Sequence, residues 1–125
     1  MKDARFAFGE NIVPLKAPVD SAGTAYATPF VDLKNALHAT FFWYAGVVTA
    51  TSADQNIVIT MEAATAAASG SEVAIAFKYR LSGATGANTW GDITAATSAG
   101  YSYATDADGK MLLIDIDPAG LDSAL

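Results

Sequence analysis

The sequence predicts an all-β fold, an antiparallel β-sandwich or barrel-like domain with an extended N-terminal arm. Short runs of alternating apolar and polar residues recur between Phe41 and Asp117, and Ala, Ser, Thr and Gly spacers separate them. Successive side chains of a strand point to opposite faces, so a period of two predicts strands with one buried face. The 125 residues, 52% of them hydrophobic and 16% charged, suffice for one such domain. We expect the arm over residues 1–29 and the β domain over residues 30–125.

The first 29 residues are interrupted by proline and glycine. Pro14, Pro18 and Pro29 lack a backbone donor and favour extended conformations in the residues before them, while Gly9 and Gly23 loosen the chain. One interpretation is an arm that reaches a neighbouring subunit, and the other is a poorly ordered terminus.

The segment from Pro29 to Leu37 fits two structures. Phe30, Leu33 and Leu37 have helical spacing, but the same residues fit a strand followed by a turn at Lys34-Asn35. We favour the strand and the turn.

Six strands follow, chosen by the period of two and by β-branched and aromatic content. They are Thr40–Ala50, Gln55–Ala63, Glu72–Leu81, Thr89–Thr94, Gly100–Ala104 and Lys110–Asp117. Gly46 indicates a bulge or bend in the first strand, and the alanine-rich stretch from Ala63 to Gly70 fits a loop or a single helical turn. The predicted core consists of Ile57, Ile59, Val73, Ile75, Phe77, Leu112 and Ile114.

Composition argues against several classes of partner. A net charge of −6 and seven scattered basic residues do not make a phosphate-binding patch, so we expect no nucleic acid partner. The chain has no cysteine, no apolar run long enough to span a bilayer and no secretory signal at its start, so we expect no membrane partner and synthesis in the cytoplasm of the cell that expresses it.

The acidic segment Asp106-Ala107-Asp108-Gly109 resembles part of a calcium-binding loop. Asp106, Asp108 and Gly109 fit the third, fifth and sixth positions of the EF-hand template, and Asp115 fits the twelfth. Ala104 occupies the first position and cannot ligate a cation. We therefore interpret the segment as a hairpin turn in which Asp-Gly supplies a positive φ, and we expect no metal.

The sequence also lacks the elements of a catalytic site. His38 and Asp92 could be combined with the hydroxyl of Ser82, Thr85 or Ser98 as base, acid and nucleophile, but no motif brings them together. The glycine-rich stretch from Gly83 to Asn88 lacks the Lys-Ser/Thr of a phosphate loop and reads as a connection between strands. We expect no enzyme activity and no cofactor.

Four consecutive aromatic residues, Phe41, Phe42, Trp43 and Tyr44, could form a platform for stacking sugars. Because neighbouring residues of a strand face opposite sides, at most half of the cluster lines one surface. The alternative is that two rings join the core and two contact another subunit.

Several segments together resemble a family of small structural proteins of tailed phages and prophages. They are LKNALHATFFWYAG, QNIVITMEAATAAASGSEVAIAFKYRLSGA, NTWGDITAAT and TDADGKMLLIDIDPAGLD, which extend from Leu33 to Asp122. The similarity is a pattern of strand types and not a catalytic signature. Members of that family continue past the Leu-Asp segment with a further strand, whereas this sequence stops at Leu125.

The resemblance implies a capsid decoration or cement protein on an HK97-type phage head, located in the virion and acting as a trimer or dimer. Its partner would be the major capsid protein, with a tail-associated or glycan-binding virion module as the alternative. The arm's apolar residues are too interrupted to fold alone, and their burial against a neighbour would be favourable. The candidate contact residues are Phe6, Phe8, Ile12, Val13, Leu15, Phe30, Phe42 and Tyr44.

Overall fold

The structure, a computed structural model, describes residues 13–18, 25–47, 57–66, 70–103 and 109–123. The chain divides into two compact units, Met1–Val31 and Asp32–Leu125. In the first unit, the ammonium group of Lys16 lies 5.3 Å from the centre of the Tyr26 ring, a cation–π contact.

The second unit contains eight strands and one short 3₁₀ helix, Pro118–Ser123, in the described residues. The strands are β1 (Ala39–Tyr44), β2 (Ile57–Ile59), β3 (Met61–Ala63), β4 (Val73–Ile75), β5 (Phe77–Leu81), β6 (Thr94–Ala96), β7 (Tyr101–Tyr103) and β8 (Met111–Ile116). All pairings are antiparallel: β1-β8-β5-β6 form a four-stranded sheet, and β2-β7 and β3-β4 form two-stranded sheets. The all-β prediction is confirmed, and closure into a sandwich or barrel stays a prediction.

Two of the predicted strands are each divided between two sheets. The predicted Gln55–Ala63 strand is broken at Thr60, so that β2 pairs with β7 and β3 pairs with β4. The predicted Glu72–Leu81 strand is broken at Ala76, so that β4 pairs with β3 and β5 pairs with β8 and β6. The alternation of inward and outward side chains continues through both breaks, as expected where a strand bends from one sheet to another.

One hydrophobic core joins the three sheets. Its buried members are Ala63, Ile75, Phe77, Ala96, Leu112, Ile114 and Ile116, and partly buried side chains such as Ile59 and Tyr101 pack against them. Beside it, Tyr103 and Ala45 form a smaller buried cluster with partly buried Ile57 against it. Of the predicted core residues, Ile75, Phe77, Leu112 and Ile114 are confirmed as buried, and Ile57 and Ile59 are partly buried.

The prediction that Val73 lies in the core is wrong. Val73 has the same orientation as Ile75 but is 43% exposed. It pairs with Ala63 at the last position of the β3-β4 ladder, next to the connecting loop. The methyl groups of Val73 project farther from the backbone than the Cβ of Ala63, which is buried at the same position of the ladder.

The predicted Thr89–Thr94 strand is also wrong, because the pairing is interrupted in its middle. Trp90 makes an isolated bridge to Ser82, and β6 begins only at Thr94, which pairs with Tyr79. Between these two pairings, two residues of β5 lie opposite three residues of the other segment, one of which is Gly91. One extra residue on one of two paired strands is characteristic of a β-bulge. The backbone N–H of Gly91 donates to the carbonyl of Leu81 at 2.8 Å and holds this bulge in place.

The segment before β1 forms the predicted turn but not the predicted strand. The N–H of Ala36 donates to the carbonyl of Leu33 at 2.9 Å, and Asn35 has a φ of 71°. Positive φ at the third position is typical of a type II turn, and asparagine tolerates it better than most residues. The carboxylate of Asp32 accepts from the N–H of Lys34 at 2.8 Å and stabilises the start of the turn.

In the part of the chain that the structure describes, no helix has the length and apolarity that a membrane crossing requires.

Candidate functional site

Strand β1 divides its aromatic residues between the two faces of the four-stranded sheet. Phe41 and Trp43 are partly buried and pack against the core, while Phe42 is 54% and Tyr44 is 60% exposed. Two rings thus join the core and two face outward, as the period of two predicts. The rings of Trp43 and Tyr103 meet in a T-shaped contact with their centres 4.5 Å apart, and this contact fixes the inward side of β1.

The strand register places further large side chains beside the two exposed rings. Phe42 lies opposite Leu113, and Tyr44 lies opposite Met111, both on β8. Beyond β8, Ser82 accepts the N–H of Met111 and bridges to Trp90, which is 39% exposed. We define the aromatic face as Phe42, Tyr44, Trp90, Met111 and Leu113.

Arg80 adjoins the aromatic face on β5. It is in register with Leu113 and is exposed. Its guanidinium lies 5.0 Å from the centre of the Trp90 ring, a cation–π contact that orients both side chains.

The next row of the same sheet is polar. Asp115 on β8 lies opposite Thr40 on β1 and Lys78 on β5. The Thr40 hydroxyl donates to the Asp115 carboxylate at 3.3 Å. All three side chains are exposed, and this polar row borders the aromatic face on one side.

A shallow groove opens at the opposite end of the aromatic face. Its volume is about 240 Å³, and Tyr44, Trp90 and Met111 line it together with Thr85 and Gly86 of the loop between β5 and β6. That loop is closed by a backbone hydrogen bond of 2.8 Å from Gly83 to Thr89, and a positive φ of 82° at Gly86 shapes its tip. Gly83–Asn88 therefore is a connection between strands, as predicted.

The predicted contact residues lie in both units. Phe42 and Tyr44 share one face of the second unit. In the first unit, Val13 is 51% exposed, Phe30 is 43% exposed and Leu15 is partly buried. The predicted contact residues Phe6, Phe8 and Ile12 lie outside the described residues.

Sequence reasoning missed Trp90, Met111 and Leu113 as parts of the same surface. Met111 and Leu113 alternate with the predicted inward residues of β8, so their outward orientation could be read from the sequence. Their position beside Phe42 and Tyr44 could not, because it depends on the pairing of strands that are distant in the chain.

Two of the three hydroxyls considered for catalysis, those of Ser82 and Thr85, form hydrogen bonds with the backbone. The Ser82 hydroxyl donates to the carbonyl of Gly83 at 3.0 Å and accepts from Met111, and the Thr85 hydroxyl donates to the carbonyl of Gly109 at 3.0 Å. His38, Asp92 and Ser98 are exposed. Within the described residues, no hydrogen bond joins His38 to Asp92 or to any of these hydroxyls.

The acidic segment before β8 is only partly described. Ala104, Asp106 and Asp108 lie outside the described residues, while Gly109 has the expected positive φ, 67°. The strands on its two sides belong to different sheets, since β7 pairs with β2 and β8 with β1 and β5. Within the described residues, β7 and β8 therefore do not pair with each other. Over the residues that the structure describes, no three acidic or histidine side chains converge as a metal site would require.

Glu72 is held ionised at the start of β4. Hydrogen bonds from its own backbone N–H and from that of Gly70 keep the pKa of this carboxyl below its ordinary value, and desolvation opposes the shift. The Gly70 N–H donates to the Glu72 carboxylate at 2.6 Å. Because these bonds organise the turn before β4, we assign Glu72 a structural role.

Comparison of the chain with models of protein families, with curated proteins and with solved structures finds no match.

Proposed function

We propose that this protein is a structural subunit of a phage virion, a capsid decoration or cement protein that binds the major capsid protein through its aromatic face. The observation that carries the proposal is the concentration of exposed Phe42, Tyr44 and Trp90 on one face of the four-stranded sheet, with Arg80 beside them. The role requires no catalysis, no cofactor and no nucleic acid.

The composition of the aromatic face supports binding to a protein. Tryptophan, tyrosine and arginine are the residues most enriched among those that dominate the free energy of protein interfaces. Strands position these side chains, so little conformational entropy is lost on binding. A monomeric protein rarely exposes such a patch without a function.

The capsid assignment rests on the resemblance of Leu33 to Asp122 to tailed-phage structural proteins. Subunits of this kind sit at local symmetry axes of an HK97-type head and bridge capsomers, and we propose that this chain does so as a trimer or dimer. Val13, Leu15 and Phe30 provide a second set of candidate contacts in the Met1–Val31 unit, of which Val13 and Phe30 are exposed.

Cosedimentation with undecorated heads, assembled from the major capsid protein alone, tests the aromatic face. We expect the wild-type chain to saturate the heads, and the double variant Phe42→Thr, Tyr44→Thr to bind about 30-fold more weakly or worse, because large aromatic anchors dominate interfaces. Threonine retains β propensity at both positions. The matched control is Val58→Thr on β2, since Val58 is 55% exposed but belongs to another sheet.

Equal affinity of the double variant and the control would remove the aromatic face from the contact. Immunogold labelling of virions then locates the protein: uniform labelling of the capsid supports decoration, and labelling of the tail tip contradicts it.

The groove favours one alternative, a tail-associated or glycan-binding module for adhesion to the host surface. Tyr44 and Trp90 border a cleft of about 240 Å³ in which hydroxyl and backbone groups accompany the aromatic rings. Small-ligand sites combine apolar or aromatic walls with a few polar groups in this way.

Titration with soluble host-surface oligosaccharides tests the glycan-binding alternative, with the fluorescence of Trp90 measured in a Trp43→Phe background. Saturable quenching supports the alternative, and an unchanged spectrum argues against it.

A further inference from the structure

We propose that Arg80 is the receptor for a carboxylate of the partner protein, so that the capsid surface facing this chain carries an Asp or Glu side chain among apolar residues. The inference rests on the proposed function and specifies the chemistry of the surface that the aromatic face binds.

The first step is the state of the Arg80 guanidinium. It contacts the ring of Trp90 at 5.0 Å, and within the described part of the chain it makes no ion pair and no hydrogen bond. Asp115 lies one row away, opposite Lys78, and its carboxylate accepts from Thr40. In the described residues, a planar cation thus lies next to the aromatic face with no carboxylate paired to it.

The second step is what burial would do to this cation. Arg80 is in register with Leu113 and stacks on Trp90, so a partner that covers both side chains also removes water from the guanidinium. Desolvating a charged group without compensation is strongly unfavourable, and the penalty is offset only by opposite charge and hydrogen bonds. A partner that binds the aromatic face must therefore supply acceptors to Arg80.

The third step is the identity of the acceptor. A guanidinium presents parallel N–H donors in a fixed plane, which match the two oxygens of a carboxylate. A carboxylate also neutralises the charge, which a backbone carbonyl does not. The contact with Trp90 restrains the Arg80 side chain before binding, and this lowers the entropy lost when the pair forms.

A chemical double cycle tests the pair. Undecorated heads are used either untreated or after carbodiimide and methylamine have converted their accessible carboxylates to neutral amides. Binding of the wild type, Arg80→Gln and the control Lys78→Gln is measured on both preparations. Lys78 is also exposed on β5 but lies in the polar row. Circular dichroism confirms that the variants are folded.

On untreated heads we expect Arg80→Gln to lose at least about 30-fold in affinity and Lys78→Gln less than about threefold. On treated heads the affinity of the wild type should fall to that of Arg80→Gln, while the affinity of Arg80→Gln should not change. The reason is that the substitution and the chemical treatment each remove the same ion pair. Additive losses, or full affinity of Arg80→Gln, would overturn the inference and leave the proposed function standing. If the wild type binds no untreated head, the proposed function fails and the inference falls with it.

Discussion

Tyr103 combines three kinds of interaction in one buried residue. It is completely buried, its ring makes a T-shaped contact with Trp43, and its hydroxyl donates to the carbonyl of Lys110 at 2.9 Å. The hydrogen bond ties the end of β7 to the residue before β8, although the two strands belong to different sheets. Tyr103 therefore links two sheets beside the unit's main core.

Replacing Tyr103 with Phe should lower the free energy of unfolding by about 0.5–1.5 kcal/mol, the usual net contribution of one hydrogen bond. The ring stays in place, and the Lys110 carbonyl loses the Tyr103 hydroxyl but keeps the N–H of Ala45, which donates to it at 3.3 Å. Urea unfolding of the two proteins measures the difference. Tyr79→Phe is the matched control: the ring of Tyr79 packs on Tyr101 at 4.4 Å and its hydroxyl has no hydrogen bond within the described structure, so we expect a change below about 0.5 kcal/mol. Equal effects at both positions would contradict the role assigned to the Tyr103 hydroxyl.

At the scale of elements, β4 shows that the orientation of a side chain alone does not decide its burial. Ile75 and Val73 have the same orientation, yet Ile75 is 6% exposed and Val73 is 43% exposed. Ile75 lies opposite Met61 near the break at Ala76, where the three sheets share the core. Val73 lies at the loop end of the same strand.

This difference predicts unequal costs for two similar truncations. Ile75→Ala should lower the free energy of unfolding by about 2–4 kcal/mol, because it leaves a cavity in the core. Val73→Ala should cost less than about 1 kcal/mol, because Val73 is already 43% exposed and less apolar surface is returned to water. Denaturant titration of both variants decides the matter, and a larger loss for Val73→Ala would show that the loop end of β4 is covered in solution.

Much of this fold could be predicted from alternation, because each strand presents one apolar side. The orientation of every residue in β5 and β8 follows from the sequence. The breaks at Thr60 and Ala76 could not be predicted, since the period of two continues through them and the change of partner strand leaves no local signal. The glycine at position 91 is a local sequence signal for the interruption of the strand. The effect of this interruption on strand pairing depends on the register with β5.

The candidate surface was predictable only in part. Four consecutive aromatic residues must divide between two faces, so Phe42 and Tyr44 could be assigned to the outside. The pairing of β1 with β8 and of β8 with β5 brings Leu113 and Arg80 beside them. Such proximity of distant segments is a property of the topology, which no single strand encodes.

At the scale of the whole molecule, the two units allow two contributions to binding. The Asp32–Leu125 unit carries the core and the aromatic face, and the Met1–Val31 unit carries exposed Val13 and Phe30. A segment interrupted by prolines buries little apolar surface when it folds alone, but its apolar side chains can contribute to the free energy of an interface.

Deleting Met1–Pro18 should therefore abolish binding to undecorated heads while the β domain stays folded. Cosedimentation measures binding, and near-ultraviolet circular dichroism reports the packing of Trp43 against Tyr103 in the truncated chain. If the truncated protein binds with unchanged affinity, the segment is a terminus without a role in attachment, and the contact lies on the remainder of the chain.

The pairing of β1 with β8 bears on how the protein is made. Ala39 on the first strand pairs with Ile116 on the last, so the four-stranded sheet cannot close until translation has reached the end of β8. Long sequence separation between contacting residues slows folding, because the loop entropy is lost before the contact compensates for it. The aromatic face is built from both strands. An unfinished chain on the ribosome has therefore not yet assembled it and cannot engage a partner prematurely through the complete surface.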